Sequence, residues 1–162
     1  MTSPLDPKAL RQVFGQFCTG VTAVCASDAD GHRYGITVNS FSSLSLDPPL
    51  ALFSVVRGSE SLKIIQAAGA FSINILAENQ QDISNALAKK GGSEKMDAVP
   101  TRPGVTGAPI IEGGIGYMDC VLHAEFDGGD HVILVGEIKQ AAVGEELPPL
   151  LYFRSGYKTL PA

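Results

Sequence analysis

The sequence predicts a mainly β fold, an antiparallel barrel with a few flanking α-helices. Short β-branched or alternating runs recur along the chain, tight-turn signals separate them, and only three segments carry a helical period. With 162 residues, 44% hydrophobic and 18% charged, the chain has apolar material for a core of ordinary domain size without disulfides or a structural metal. It reads as one domain over 1–162, with no repeat or linker.

Asp6-Pro7 supplies an N-cap and a first-turn proline ahead of Leu10, Val13, Phe14 and Phe17, an apolar stripe expected to pack on the core. Thr19 to Ala26 is a β-branched strand, Asp30-Gly31 a hairpin turn and Tyr34 to Asn39 the returning strand. Leu50 to Val56 follows an extended Asp47-Pro48-Pro49 and reads as a strand buried on both faces. Ser59 caps a second helix through Ala67, which Gly69 ends. Phe71 to Leu76 alternates as a strand. Glu78 to Lys90 is a third helix, with Ile83, Ala86 and Leu87 on one face and Lys89-Lys90-Gly91 as its stop. Residues 91–109 form one long loop rich in Gly, Pro and Thr.

From Gly116, the residues Met118, Cys120, Leu122, Ala124 and Phe126 share one parity, and Tyr117, Asp119, His123 and Glu125 the other. This is a long half-buried strand with its polar side to solvent. Asp127-Gly128-Gly129-Asp130 turns it, His131 to Ile138 returns, and Leu150 to Phe153 adds a last strand before Arg154-Ser155-Gly156-Tyr157.

Twelve basic against 17 acidic residues give a net charge of -5, without the basic footprint that nucleic acid requires. Cys18, Cys25 and Cys120 form no metal or disulfide framework and read as small buried hydrophobes. Met1 to Phe17 lacks the basic and apolar regions of a leader, and no run is long enough to span a membrane, so the expected setting is the cytoplasm.

No phosphate loop, zinc-protease helix or nucleophile elbow is present, so redox or transfer chemistry would fall to a bound organic cofactor. Gly114-Ile115-Gly116 is followed by a β pattern where a dinucleotide fingerprint needs a helix. Thr37-Val38-Asn39-Ser40-Phe41-Ser42-Ser43 is either a turn whose hydroxyls satisfy local backbone or a cradle for a heteroatom-rich ring. Arg57-Gly58-Ser59-Glu60-Ser61 is either an ordinary cap or an anion site at a helix start. His131, at a turn edge, either is solvated or reaches into a cleft. Tyr152 to Tyr157 combines aromatic faces with the Arg154 fork, or is simply a strand end.

Taken in this order, four motifs make the chain resemble the flavin reductase family of the FMN-binding split barrel, the small reductase components of two-component flavin-dependent monooxygenases. They are Phe17-Cys18-Thr19-Gly20-Val21-Thr22, the run from Thr37 to Leu50 (TVNSFSSLSLDPPL), Gly129-Asp130-His131, and Leu150-Leu151-Tyr152-Phe153-Arg154. The resemblance runs from about Phe14 to Leu160. It implies a Greek-key type split barrel and a hydride transfer from NADH or NADPH to FMN or FAD, with the reduced flavin passed to a partner monooxygenase. Reduction of ferric chelates by the released flavin would be a side reaction.

By position, the resemblance places Thr37, Val38, Asn39 and Ser40 along the flavin ring and ribityl chain, and Ser54, Val55 and Val56 at the ring's far edge. It places Arg57, Ser59 and Ser61 on the phosphate side, and Ser84, Asn85 and Ala86 on a further flavin-contacting segment. His131, with Tyr152, Arg154 and Tyr157, falls on the nicotinamide side, His131 as the residue that orients the nicotinamide. The family is homodimeric, with flavin sites at the subunit interface. Two alternatives share the barrel: a flavin-binding module without turnover, and an enzyme resembling pyridoxamine-phosphate oxidase with fixed FMN. The latter needs a local basic cluster that the sequence does not display.

Overall fold

The computed structural model describes residues 5–161. Its strands are β1 (Thr19–Gly20), β2 (Thr22–Ser27), β3 (Arg33–Val38), β4 (Ser42–Leu46), β5 (Pro49–Val56), β6 (Ala70–Ile75), β7 (Thr101–Pro103), β8 (Pro109–Ile111), β9 (Gly116–Gly128), β10 (His131–Val143), β11 (Leu151–Phe153) and β12 (Gly156–Lys158). Its helices are α1 (Pro7–Phe14), α2 (Glu60–Ala68) and α3 (Gln81–Ala88), with 3-10 turns at Glu78–Gln80 and Ser93–Met96.

Seven strands form one antiparallel sheet in the order β3-β2-β6-β9-β10-β5-β4. β5 and β6 are separated by two strands in that order, yet Phe53 and Phe71 meet edge to face with ring centroids 5.1 Å apart. The sheet therefore curls until its inner side closes on itself. That interior is filled by Val24, Phe53, Phe71, Ile73, Val132 and Leu134, with Leu62 and Ile65 of α2 packed into it. Ser59 caps α2 by accepting from the Leu62 amide, and Gly69 ends it at φ 65°, a left-handed conformation that a side chain would strain.

A second core lies outside the barrel, where Val21, Ala23 and Cys25 meet Leu87 of α3, Met96, Val99 and Leu150. β2 is thus buried on both sides, as is the middle of β6. β5, expected to be so, alternates instead: Ala51, Phe53 and Val55 are buried, while Ser54 is half-buried and Val56 exposed, because no layer covers its outer side. Gly35 of β3 makes the second core possible, since a Cβ there would stand 2.6 Å from Met96 Sδ and 3.1 Å from Leu87. Arg33 anchors the segment beyond α3 by donating to the Met96 and Val99 carbonyls and to Thr101. The expected long loop is therefore partly built, with a 3-10 turn and the β7–β8 hairpin.

Four further expectations are corrected. α1 starts at its Asp6 cap, but its stripe faces outward: Val13, Phe14 and Phe17 are 65%, 68% and 77% exposed. The helix is tied beside the β11–β12 turn, through Gly15 and Arg154, rather than laid over the barrel. Ser42 to Leu46 is a strand pairing with β5, so Ser42 and Ser43, offered as part of a turn, are strand residues. Along β9, Ala124 and Leu122 face consecutive residues of β10, which leaves His123 as an extra residue; the slip carries Phe126 to the outer side, 57% exposed. Asp119 is fully buried, because residues 104–108 fold over it and Thr106 donates from both its amide and its hydroxyl to the carboxylate.

Candidate functional site

Residues inward from β5 fill the barrel, so Ser54 and Val56 point to the opposite side. His131 lies in register with Val56, and Ile133 with Ser54. Ile36 and Val38 pack toward the interior, which directs Thr37 outward, where its hydroxyl donates to the Ser84 carbonyl of α3 at 2.7 Å. These outer surfaces enclose a cavity of about 610 Å³ between the free edge of β3 and β5, with the start of α2 and the end of α3 around it. Its volume falls within the range of small-molecule sites, ~300–1,000 Å³.

Ten of the residues singled out from the sequence line this cavity: Thr37, Val38, Asn39, Ser40, Ser54, Val55, Val56, Ser59, Ser61 and His131. β3 pairs with β2 alone, so the other edge of its backbone presents hydrogen-bonding groups on the cavity side. Ser40 closes the wall by bonding both backbone groups of Ser54. His131 stands where β10 begins, with Nδ1 2.7 Å from Asp130 Oδ1. The hydrogen bond from His131, and then its charge, hold the Asp130 carboxyl below the usual carboxylate range.

The remaining candidates lie elsewhere within the chain. Arg57 turns to the β9–β10 turn, bonding Gly129, Asp127 and His131. Ser84 is buried behind Thr37, its hydroxyl 2.7 Å from that of Tyr157, while Asn85 is exposed and Ala86 half-buried outside the cavity lining. Tyr152 packs edge to face on Tyr157 with centroids 5.5 Å apart, and Arg154 lies over Phe153 and donates to Gln16. The hairpin holding Tyr157 was hidden in the sequence because its turn residues, Arg154 and Ser155, take positive φ angles of 49° and 61° without being glycine.

Sequence reasoning missed Lys89, Lys90 and Lys95, which line one end of the cavity with Glu60. Lys89-Lys90 looked like a helix stop alone. Lys95 is five residues further on and is folded back, its Nζ donating to the Leu87 and Lys89 carbonyls at 3.3 and 3.1 Å. Partial burial pulls the Lys95 ammonium below the usual lysine range, with Glu94 and Glu60 opposing the shift. The local basic cluster that seemed lacking is therefore present. Together with the start of α2 it makes this end of the cavity suited to an anion.

A cavity with a backbone-edged polar wall and a cationic end fits a flat heteroaromatic ring carrying a phosphate. Of the cysteines, Cys25 and Cys120 are buried, and burial pushes both thiols up to about 12; Cys18, in the exposed stretch between α1 and β1, is itself exposed, contrary to expectation. Among the described residues no helix is long and apolar enough to cross a membrane.

Comparison with known proteins is consistent with this chemistry. The chain is 38% identical to a flavin-dependent monooxygenase reductase subunit of Mycobacterium tuberculosis, over 100% of this chain and 90% of that protein. It is 41% identical to a flavin reductase of Pseudomonas putida, over 96% of this chain and 91% of the other. The structure of an NADH:FAD oxidoreductase from Streptomyces globisporus superposes with a TM-score of 0.92 at 31% identity, covering 100% of this chain and 98% of its own. The family model described as flavin reductase like domain matches residues 14–161, and the chain belongs to that family.

Proposed function

We propose that the chain is the reductase component of a two-component system, an NAD(P)H:flavin oxidoreductase that supplies reduced FMN or FAD to a flavin-dependent monooxygenase. The observation that carries this is the cavity of about 610 Å³ that places Thr37 to Ser40, Ser54 to Val56 and His131 around one space, with three lysines at its end. These residues would hold a flavin, which would supply hydride acceptance from the nicotinamide, chemistry that needs stacked, close rings and no acid–base dyad.

The chain's own residues position the reactants. The β3 edge and the Ser40 and Ser54 groups meet the polar rim of the ring, and Ser59, Ser61, Lys89, Lys90 and Lys95 receive the phosphate side. His131, its Nδ1 held by Asp130, orients the nicotinamide. Ser84 and Tyr157 brace Thr37 from behind. Tyr152, Arg154 and Tyr157 serve the nicotinamide side only in a homodimer, since within one chain they stand away from the cavity.

A homodimer is supported by apolar surface on α1 and on the outer barrel side, where Phe14 is 68% and Phe126 57% exposed. Light scattering on the purified protein measures it directly. NADH as donor and FAD as acceptor are favoured by the Streptomyces globisporus neighbour, which is named for that pair. A reductase drawing on nicotinamide works where that cosubstrate is regenerated, which makes the cytoplasm the proposed setting.

The test is the loss of NADH or NADPH absorbance with purified protein alone and then with FMN, FAD or riboflavin. Turnover only on adding flavin is expected. Bound flavin without any turnover would replace the enzyme by a flavin-binding module.

A further inference from the structure

Arg57 directly follows β5, one residue beyond the cavity wall, yet its polar groups are aimed at one short segment far away in sequence. Its amide donates to the Asp130 carbonyl at 2.9 Å. From the side chain, Nε donates to the Gly129 carbonyl at 3.1 Å and a terminal nitrogen to the His131 carbonyl at 3.3 Å. The same nitrogen pairs with the Asp127 carboxylate. All four contacts fall on residues 127–131, the turn that presents His131 to the cavity.

We propose that Arg57 is a positioning residue for His131, clamping the β9–β10 turn, and not a ligand of the flavin phosphate. The role rests on the flavin and nicotinamide assignment of the preceding section. A guanidinium suits it because its fork of donors is planar and rigid, so several acceptors are fixed at once. Gly129, at φ 76°, takes the left-handed conformation the turn requires, and the Arg57 contacts brace the residues around it. The Arg57 and Asp127 side chains are 50% and 84% exposed, so their pairing adds little to global stability and acts mainly on local geometry. The Asp130 carboxylate then sets the imidazole ring on a backbone already held in place.

The experiment compares wild type, R57A and R57K by amide hydrogen exchange over residues 127–132, KM and kcat for NADH, and Kd for FMN and riboflavin from flavin fluorescence. R57A should exchange faster over that segment and raise KM for NADH by roughly tenfold, with a smaller change in kcat. Kd for both flavins should stay within about twofold. R57K, which keeps the charge and a donor group but not the planar fork, should recover part of the loss, and R57A should add little to KM in an H131A background.

A weaker Kd for FMN with that for riboflavin unchanged would make Arg57 a phosphate ligand and overturn the proposal. Unchanged exchange and KM in active R57A would overturn it alone. Wild type that turns over no NADH with any flavin would overturn the functional assignment and this role with it. Should R57A not fold, D127A removes one acceptor of the clamp and should shift the same readouts in the same direction; no shift there would also overturn the proposal.

Discussion

Ser40 Oγ accepts from the Ser54 amide at 3.0 Å and donates to the Ser54 carbonyl at 3.3 Å, so one side chain substitutes for a strand partner where the chain leaves β3 and crosses toward β4. Replacing it by alanine leaves both Ser54 groups unpaired in a half-buried wall. S40A should lower stability by about 1–2 kcal/mol. Urea unfolding should show a lower midpoint with an unchanged slope, and flavin binding should weaken in parallel.

Lys89, Lys90 and Lys95 gather at one end of the cavity, and their contribution should depend on the ligand's charge. The K89A/K90A double variant should weaken FMN by about tenfold, or ~1.4 kcal/mol, and leave riboflavin nearly unaffected. The difference between the two flavins should shrink as salt rises. Fluorescence titration at two ionic strengths checks both points, and equal losses for FMN and riboflavin would remove the lysines from the phosphate side.

Gly35 lies beneath Met96 and Leu87, leaving no room for a methyl group. G35A should cost about 1–3 kcal/mol by overpacking. Because α3 and the turn bearing Lys95 would move, FMN affinity should fall together with the melting temperature. A G35A protein with unchanged melting would contradict the close contact.

The thiols of Cys25 and Cys120 are pushed up to about 12 by burial, while Cys18 is exposed. At about pH 8 the two buried thiols therefore stay protonated and inert. A thiol reagent should titrate one group per native chain and three after denaturation. Raising the pH toward 10 should not recruit the buried pair while the fold holds.

Much of this architecture was legible because local chemistry and tertiary structure agree. Asp6 and Ser59 cap helices where their spacing said they would, and Gly69 ends α2 in the conformation only glycine takes easily. β4 was hidden because its serines look like turn residues and its Leu44 and Leu46 are exposed, 49% and 97%, so burial gives its period no meaning. Asp119 looked solvent-facing because strand parity cannot foresee the preceding β7–β8 hairpin folding over it. The part of the cavity wall from Thr37 to Ser40 was visible as a contiguous run. The cavity's cationic end was not, because Lys95 joins Lys89 and Lys90 only after the chain doubles back, and the Arg57 contacts span more than sequence neighbourhood can convey.

The barrel interior is occupied by Phe53, Phe71 and Leu134, each fully buried, and the cavity lies on the other side of the same wall. A guest can arrive and depart without the barrel breathing. Repacking Phe53, Phe71 and Leu134 can consequently harden the protein without touching a residue that lines the cavity.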